Sequence, residues 1–495
     1  MKIALIRFKQ REGANSSIPW HFSFYKDILE PLGHRVDIID DQVESLGIDK
    51  LVEICISRGY QLIGTGGIGT VYKQLKDFSE KIKIKNNKVV IVVGGQIVAD
   101  HAFIMDSCMI DIIVCGEGEV TLKNIINAIE KGFEWQTING IIFRKDGNLI
   151  ITEPEKLIKL DDLPDFNFKN INIDKYDTNV SNIYLINDNA HKLKEKGHRY
   201  ISIFLARGCP YNCFFCYRHL KGYRTYSRER LEKILSGLKE KGFSFISYGD
   251  ECITANKNNL KNICELSKKY DIYWITSGRA DHLNDEVISM LKNHNCAGLQ
   301  IGVESFDASM LEIMNKRISP QQNIDAMNII YKYGLHTTLQ LVSGSPGENR
   351  KTILNTRKGM WSCFFKDDKI ASAILNPYPG SPAYYYGIEK GLIKDKEWVH
   401  KNFSNKGEII VNLSDLSICE LRAWQVWLFF EASLSYRVKN RRLIINKSFI
   451  IRLRNFLLSY VRLMLEPQNF LYFTLYLLIG FKYWLRPLSA PRYIT

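Results

Sequence analysis

The sequence predicts an α/β protein with an N-terminal doubly wound, Rossmann-like domain, a partial (β/α)6 barrel and a mainly helical C-terminal extension. Three observations carry this. Short Val/Ile-rich runs alternate with helix-length segments over the first 135 residues. A second alternating series of six runs begins at RYISIFLA (199–206), and from residue 401 the pattern reads as helical and basic. A chain of 495 residues is in any case too long for one ordinary core. We therefore read residues 1–135 and 196–400 as the two α/β domains, 136–195 as a connecting segment rich in Pro and acids, and 401–495 as the extension.

In the first domain, IALIRF, VDIID, QLIGTGG, KVVIVVGG and DIIVCGEGE read as strands. Near-continuous apolar runs fit parallel strands covered on both faces, and such sheets bind ligands at the carboxyl ends of their strands. Gly64, Gly66 and Gly67 fall at one such end, Gly94 and Gly95 at the next, and Gly116, Glu117, Gly118 and Glu119 at a third. One glycine pair is an ordinary tight turn. Three at successive strand ends favour a large flat ligand lying against backbone.

The second series continues with FSFISYG, YDIYWITSG, AGLQIGVES, LHTTLQLVSG and KIASAILNPYPG. Directly after its first strand, RGCPYNCFFCYRHLKG sets Cys209, Cys213 and Cys216 in a CxxxCxxC spacing. Loops at the carboxyl ends of barrel strands carry that fold's chemistry. Three thiolates this close can share one metal centre and leave a coordination position open. Two plainer readings compete with a cluster: a zinc site completed by His219, and a disulfide. The zinc reading lacks a second CxxC pair, and the disulfide leaves an odd cysteine.

Composition limits the function classes. Hydrophobic residues at 45% and charged residues at 24% are those of a folded protein. The apolar run at the N-terminus is broken by charges too soon for a signal peptide, so a reducing cytoplasm is expected for the eleven cysteines. Eleven Lys/Arg and one acid (Glu466) between Arg437 and Thr495 supply +10 of the net +14. The rest of the chain is nearly balanced and gives no reason to expect nucleic acid.

The cysteine triplet, with Phe215 before the last cysteine, resembles the CxxxCxΦC signature of the radical S-adenosylmethionine (SAM) superfamily. The resemblance implies that Cys209, Cys213 and Cys216 ligate a four-iron four-sulfur cluster, with SAM chelating its open iron and Phe215 packing on the adenine. It further implies that Gly249, Asp250 and Glu251 lie where the SAM amino group binds, although YGDE replaces the Gly-Gly-Glu pattern. Arg279 would face the SAM carboxylate, and Glu304 and Ser305 the ribose. SPGE (345–348) and NPYPGSP (376–382) resemble further turns of that family.

The first domain resembles the cobalamin-binding domains fused to such barrels, most closely from Val92 to Leu122. The DxHxxG motif that supplies a histidine to cobalt is missing. His101 lacks the following glycine and His34 precedes a strand, so cobalamin is expected to bind without a histidine on the metal. The two resemblances span roughly residues 1–385. They imply that a reduced cluster cleaves SAM to a deoxyadenosyl radical, which takes hydrogen from an inert carbon of a small-molecule or lipid-like substrate. Methylcobalamin would then donate a methyl group. An oxidative cyclase or rearrangement enzyme of the same architecture is the alternative, and a non-enzymatic cobalamin sensor with structural zinc is a third. The electron donor would be a flavodoxin or ferredoxin.

In the extension, Ile450, Leu453, Leu457, Tyr460, Val461 and Met464 fall on one helical face, followed by the aromatic-rich run 469–481. That run is too short to span a bilayer. A helical cap over the barrel and a peripheral membrane contact both fit this pattern.

Overall fold

The computed structural model describes residues 1–10, 17–176, 178, 198–217, 222–364, 370–403, 409–425 and 427–428. Its first sheet contains β1 (Lys2–Arg7), β2 (Arg35–Asp40), β3 (Leu62–Gly66), β4 (Val90–Gly94), β5 (Ile112–Val114), β6 (Ile141–Lys145) and β7 (Asn148–Ile151). The order is β2-β1-β3-β4-β5-β6-β7, with β1 to β5 parallel. All five strands expected from the sequence are present. Alternate residues along them feed opposite faces: Ala4, Ile6, Ile63 and Ile91 join one apolar cluster, and Ile3, Leu5, Leu62 and Val92 another.

The hairpin β6–β7 lies in the stretch read as a connecting segment, and it extends the first sheet past residue 135. Its turn has φ of 51° at Asp146 and 79° at Gly147, the positive pair that a two-residue hairpin with right-handed strand twist requires. From β1 the chain passes to β2 on one side and then crosses back to β3 on the other side of β1, from which β4 and β5 continue outward. A crevice therefore opens at the carboxyl ends of β1 and β3.

The second sheet contains β8 (Arg199–Ile203), then, beyond the short antiparallel pair β9 (Ala206–Arg207) and β10 (Arg224–Thr225), β11 (Phe243–Tyr248), β12 (Tyr273–Gly278), β13 (Cys296–Glu304), β14 (Thr337–Ser343) and β15 (Ile370–Ile374). Its six strands run parallel in the order β15-β14-β13-β12-β11-β8, an open half barrel with β8 and β15 as edges. These are the six runs expected.

One helix, Trp20–Leu29, belongs to both cores. Trp20 and Phe24, four residues apart on one face, pack with Ile201 and Ile203 of β8, while Phe22 and Leu29 pack under the first sheet. Each such buried side chain contributes about 1.5–3 kcal/mol. Trp20 Nε1 donates to the Ser202 carbonyl at 3.1 Å. Farther out, Tyr176 donates to Asp40 at 2.6 Å and Tyr384 to Asp100 at 2.7 Å. These contacts tie the first sheet to the second and to the segment before it.

The extension is described only as far as Leu428; residues 409–417 are irregular, and a helical stretch begins at Ile418. The expected amphipathic stretch 450–464 and the aromatic run 469–481 lie outside the described residues, as does His219. Among the described residues no helix is long and apolar enough to cross a membrane.

Candidate active site between the two sheets

A cavity of about 810 Å³ lies where the carboxyl ends of the two sheets meet. The first sheet supplies its glycine turns, with Gly64, Gly66, Gly67, Gly94, Gly95, Gly116 and Gly118 all on the wall. These glycines do different work. A Cβ on Gly66 would lie 2.2 Å from the Gly94 carbonyl oxygen, so packing requires that glycine, and one on Gly118 would lie 2.5 Å from the Tyr25 hydroxyl, which would have to move. Gly95 needs its positive φ of 81°. Gly94 is the exception. A Cβ there meets nothing closer than Val114 at 3.9 Å and would project into the cavity. A ligand can therefore lie on bare backbone at Gly94, as the glycine pattern suggested.

The barrel supplies the opposite wall through Phe204, Phe215, Cys216 and Glu251. Cys209 and Cys213 are buried, and Cys216 is partly exposed. The Cys216 amide donates to the Cys213 carbonyl at 3.0 Å, which folds the loop back on itself. Two cations stand beside these thiols. Arg279 Nη1 lies 4.0 Å from Cys213 Sγ, and its guanidinium stacks 3.8 Å from the Tyr211 ring centre. Burial pushes the Cys213 thiol up, while Lys316 and Arg279 act the other way. A net negative cluster held by three thiolates suits this setting. Among the described residues no three His, Cys, Asp or Glu side chains converge on a point suited to one metal ion.

A fourth thiol stands nearby. Cys252 is buried, hydrogen-bonds with Cys209, and has its pKa raised by that contact and by burial.

The other expected contacts divide. Arg279 is anchored by Asp281 at 3.0 Å and by the Lys316 carbonyl at 2.5 Å, next to the cysteines. Glu251 faces the cavity. Gly249 packs under Phe204, whose ring a Cβ would strike at 2.8 Å, and its amide donates to Ile203 at 2.9 Å. Asp250 turns inward: its Oδ1 accepts from the Leu205 and Ala206 amides at 2.7 and 2.5 Å. Asp250 thereby fixes the strand end that leads to Cys209. Burial raises its pKa to about 7 against those hydrogen bonds. Glu304, with φ of 62°, forms a buried ion pair with Lys316 at 3.1 Å. Ser305 is buried against Thr356 at 2.7 Å and caps the Asp307 amide, away from the cavity.

Sequence reasoning missed the ionic link between the walls. Arg207 pairs with Glu117 at 3.1 Å and with Glu119 at 2.7 Å, and Arg224 also pairs with Glu117. Burial opposes charge on Arg207, but the two carboxylates outweigh it and raise its pKa. No linear motif connects residues so far apart. The signal was the two acids inside a glycine turn.

Residues 203–358 match the model described as the radical SAM superfamily, and residues 22–126 match that of the B12 binding domain. An uncharacterised methyltransferase of Pyrococcus horikoshii is 30% identical over 374 residues, covering 74% of this chain and 77% of that protein. The chain belongs to the cobalamin-binding radical SAM family. A relative within the family is an anaerobic magnesium-protoporphyrin IX monomethyl ester cyclase of Synechocystis, 22% identical over 75% of this chain and 73% of its own. The fold also matches TsrM, a radical SAM methyltransferase of Kitasatospora setae solved with cobalamin and its cluster. The TM-score is 0.65 at 14% identity, over 87% of this chain and 88% of that one. This radical SAM protein is thus an enzyme whose cofactors are a four-iron four-sulfur cluster, SAM and cobalamin. The Gly94 cradle and the cation-flanked thiols are suited to hold them.

Proposed function

We propose that this radical SAM enzyme methylates an unactivated carbon of a small or lipid-like molecule. Cys209, Cys213 and Cys216 would ligate the cluster, and the glycine crevice would hold cobalamin. One observation supports this above the rest: a single cavity is walled by Gly94 on one side and by Phe215 and Cys216 on the other. Two cofactors bound there would face one substrate.

When bound, the cluster with SAM supplies hydrogen abstraction, and cobalamin supplies methyl-transfer chemistry. The chain's own residues prepare the space. Phe22, Phe204 and Phe215 give the cavity a largely apolar wall that excludes water. Arg279 and Lys316 offset negative charge at Cys213. Glu251 presents a carboxylate to the cavity, suited to an ammonium group. Arg207 holds the two walls in register through Glu117 and Glu119.

Oxidative ring closure is the second reading, favoured by the cyclase relative. Incubation with SAM carrying a deuterated methyl group, a flavodoxin or ferredoxin reductant and candidate substrates separates the two. Product mass rises by a labelled methyl group in the first case and falls by a hydrogen pair in the second. The basic, aromatic extension supports a peripheral membrane contact from the cytoplasmic side, with about 1 kcal/mol per basic residue near an anionic surface. Sedimentation with anionic vesicles at low salt, lost at high salt and on deleting residues 437–495, tests it.

A further inference from the structure

We propose that His21 is the protein's axial ligand to the cobalt of bound cobalamin. The inference rests on the cofactor assignment and reverses the expectation drawn from the missing DxHxxG motif.

His21 is the second residue of the helix Trp20–Leu29, which follows β1, the strand at the switch point of the sheet. Helical geometry separates two core-facing sides there. Trp20 and Phe24 enter the barrel core, and Phe22 enters the core under the first sheet. His21 and Tyr25, again four apart, lie between those two faces with ring centres 6.1 Å apart, and line the cavity beside Trp20, Phe22 and Phe24. The His21 side chain is exposed while both its sequence neighbours are buried. It is nevertheless deep in the protein, so the space it is exposed to is the cavity.

The chemistry of the ring suits a metal. Its nitrogens have no hydrogen-bond partner among the described residues. Burial and the Arg7 charge lower its pKa to about 4, so the imidazole is neutral and a nitrogen lone pair is available. Glu119 acts on the ring in the opposite sense, and its Oε2 is buried without a hydrogen-bond partner. Metal-bound histidines commonly direct their second nitrogen to such a carboxylate. The two histidines singled out from sequence do not compete. The His34 ring lies 3.3 Å from the N-terminal amine, and His101 is not on the cavity wall.

The test uses the full chain, loaded anaerobically with cobalamin and reduced to the cobalt(II) form. Electron paramagnetic resonance should show three-line nitrogen splitting, which becomes two-line when histidine carries the heavy nitrogen isotope. His21→Ala should lose the splitting while keeping the corrin absorption. The labelling needs no variant, so a folding defect in His21→Ala does not blunt it. Splitting that ignores labelled histidine places the cofactor's own base on cobalt and overturns the proposal. Bound cobalamin with no nitrogen splitting also overturns it. Absence of any corrin absorption would overturn the cofactor assignment as well, and is told apart by colour.

Discussion

Arg207 Nη2 donates to Glu119 Oε1 at 2.7 Å, joining the loop after the barrel's first strand to the third glycine turn of the other sheet. The Glu119 side chain is nearly inaccessible and Arg207 is mostly so. Removing one partner of such a pair leaves a buried charge uncompensated, which costs about 3–5 kcal/mol. Arg207→Ala should lower the melting temperature and loosen retention of cobalamin. Arg207→Ala with Glu119→Gln should recover part of the lost stability. A double variant no better than the single one would show that the pair is not coupled.

Gly66 and Gly94 sit at neighbouring strand ends and should respond oppositely. Gly66→Ala drives a Cβ into the Gly94 backbone and should destabilise the cofactor-free protein. Gly94→Leu points into open space, so it should leave apo stability nearly unchanged and reduce cobalamin affinity at least tenfold. Calorimetry and equilibrium binding read the two effects. If Gly94→Leu keeps full affinity, the corrin does not lie there.

Asp250 makes stability depend on pH. Its pKa rises from 3.8 to about 7 on folding, chiefly through burial. The unfolded chain therefore releases this proton more readily, and stability falls as pH rises from about 4 to about 7, then levels. Asp250→Asn keeps an oxygen for the Leu205 and Ala206 amides but cannot ionise. Each tenfold change in proton affinity is worth about 1.4 kcal/mol, so the advantage of Asp250→Asn over the wild type should grow across that window to a few kcal/mol. Parallel stability curves for the two proteins would contradict the assignment.

Most of the fold could be read from the sequence because parallel, doubly covered strands leave continuous Val/Ile runs, as in Val90–Gly94. The β6–β7 hairpin was missed although Asp146-Gly147 is a strong turn signal. Arg144, Lys145 and the mostly exposed strand Asn148–Ile151 hid the apolar alternation that would have drawn attention to it. The cysteine spacing was legible because all three cysteines sit in one loop. For Asp250, spacing locates the residue at a strand end without showing that its carboxylate turns to the Leu205 and Ala206 amides. His21 was invisible for a similar reason: only the placement of its helix between two cores shows that its side chain reaches the cavity.

Anaerobic reconstitution with iron, sulfide and cobalamin, followed by assay of both cofactors and of SAM cleavage, tests the account most directly. The wild type should carry four irons and a corrin and should cleave SAM under reduction. The variant with Cys209, Cys213 and Cys216 all changed to Ala should keep the corrin, carry no cluster and leave SAM intact. Full iron loading in that triple variant, or reductive SAM cleavage by it, would contradict the account.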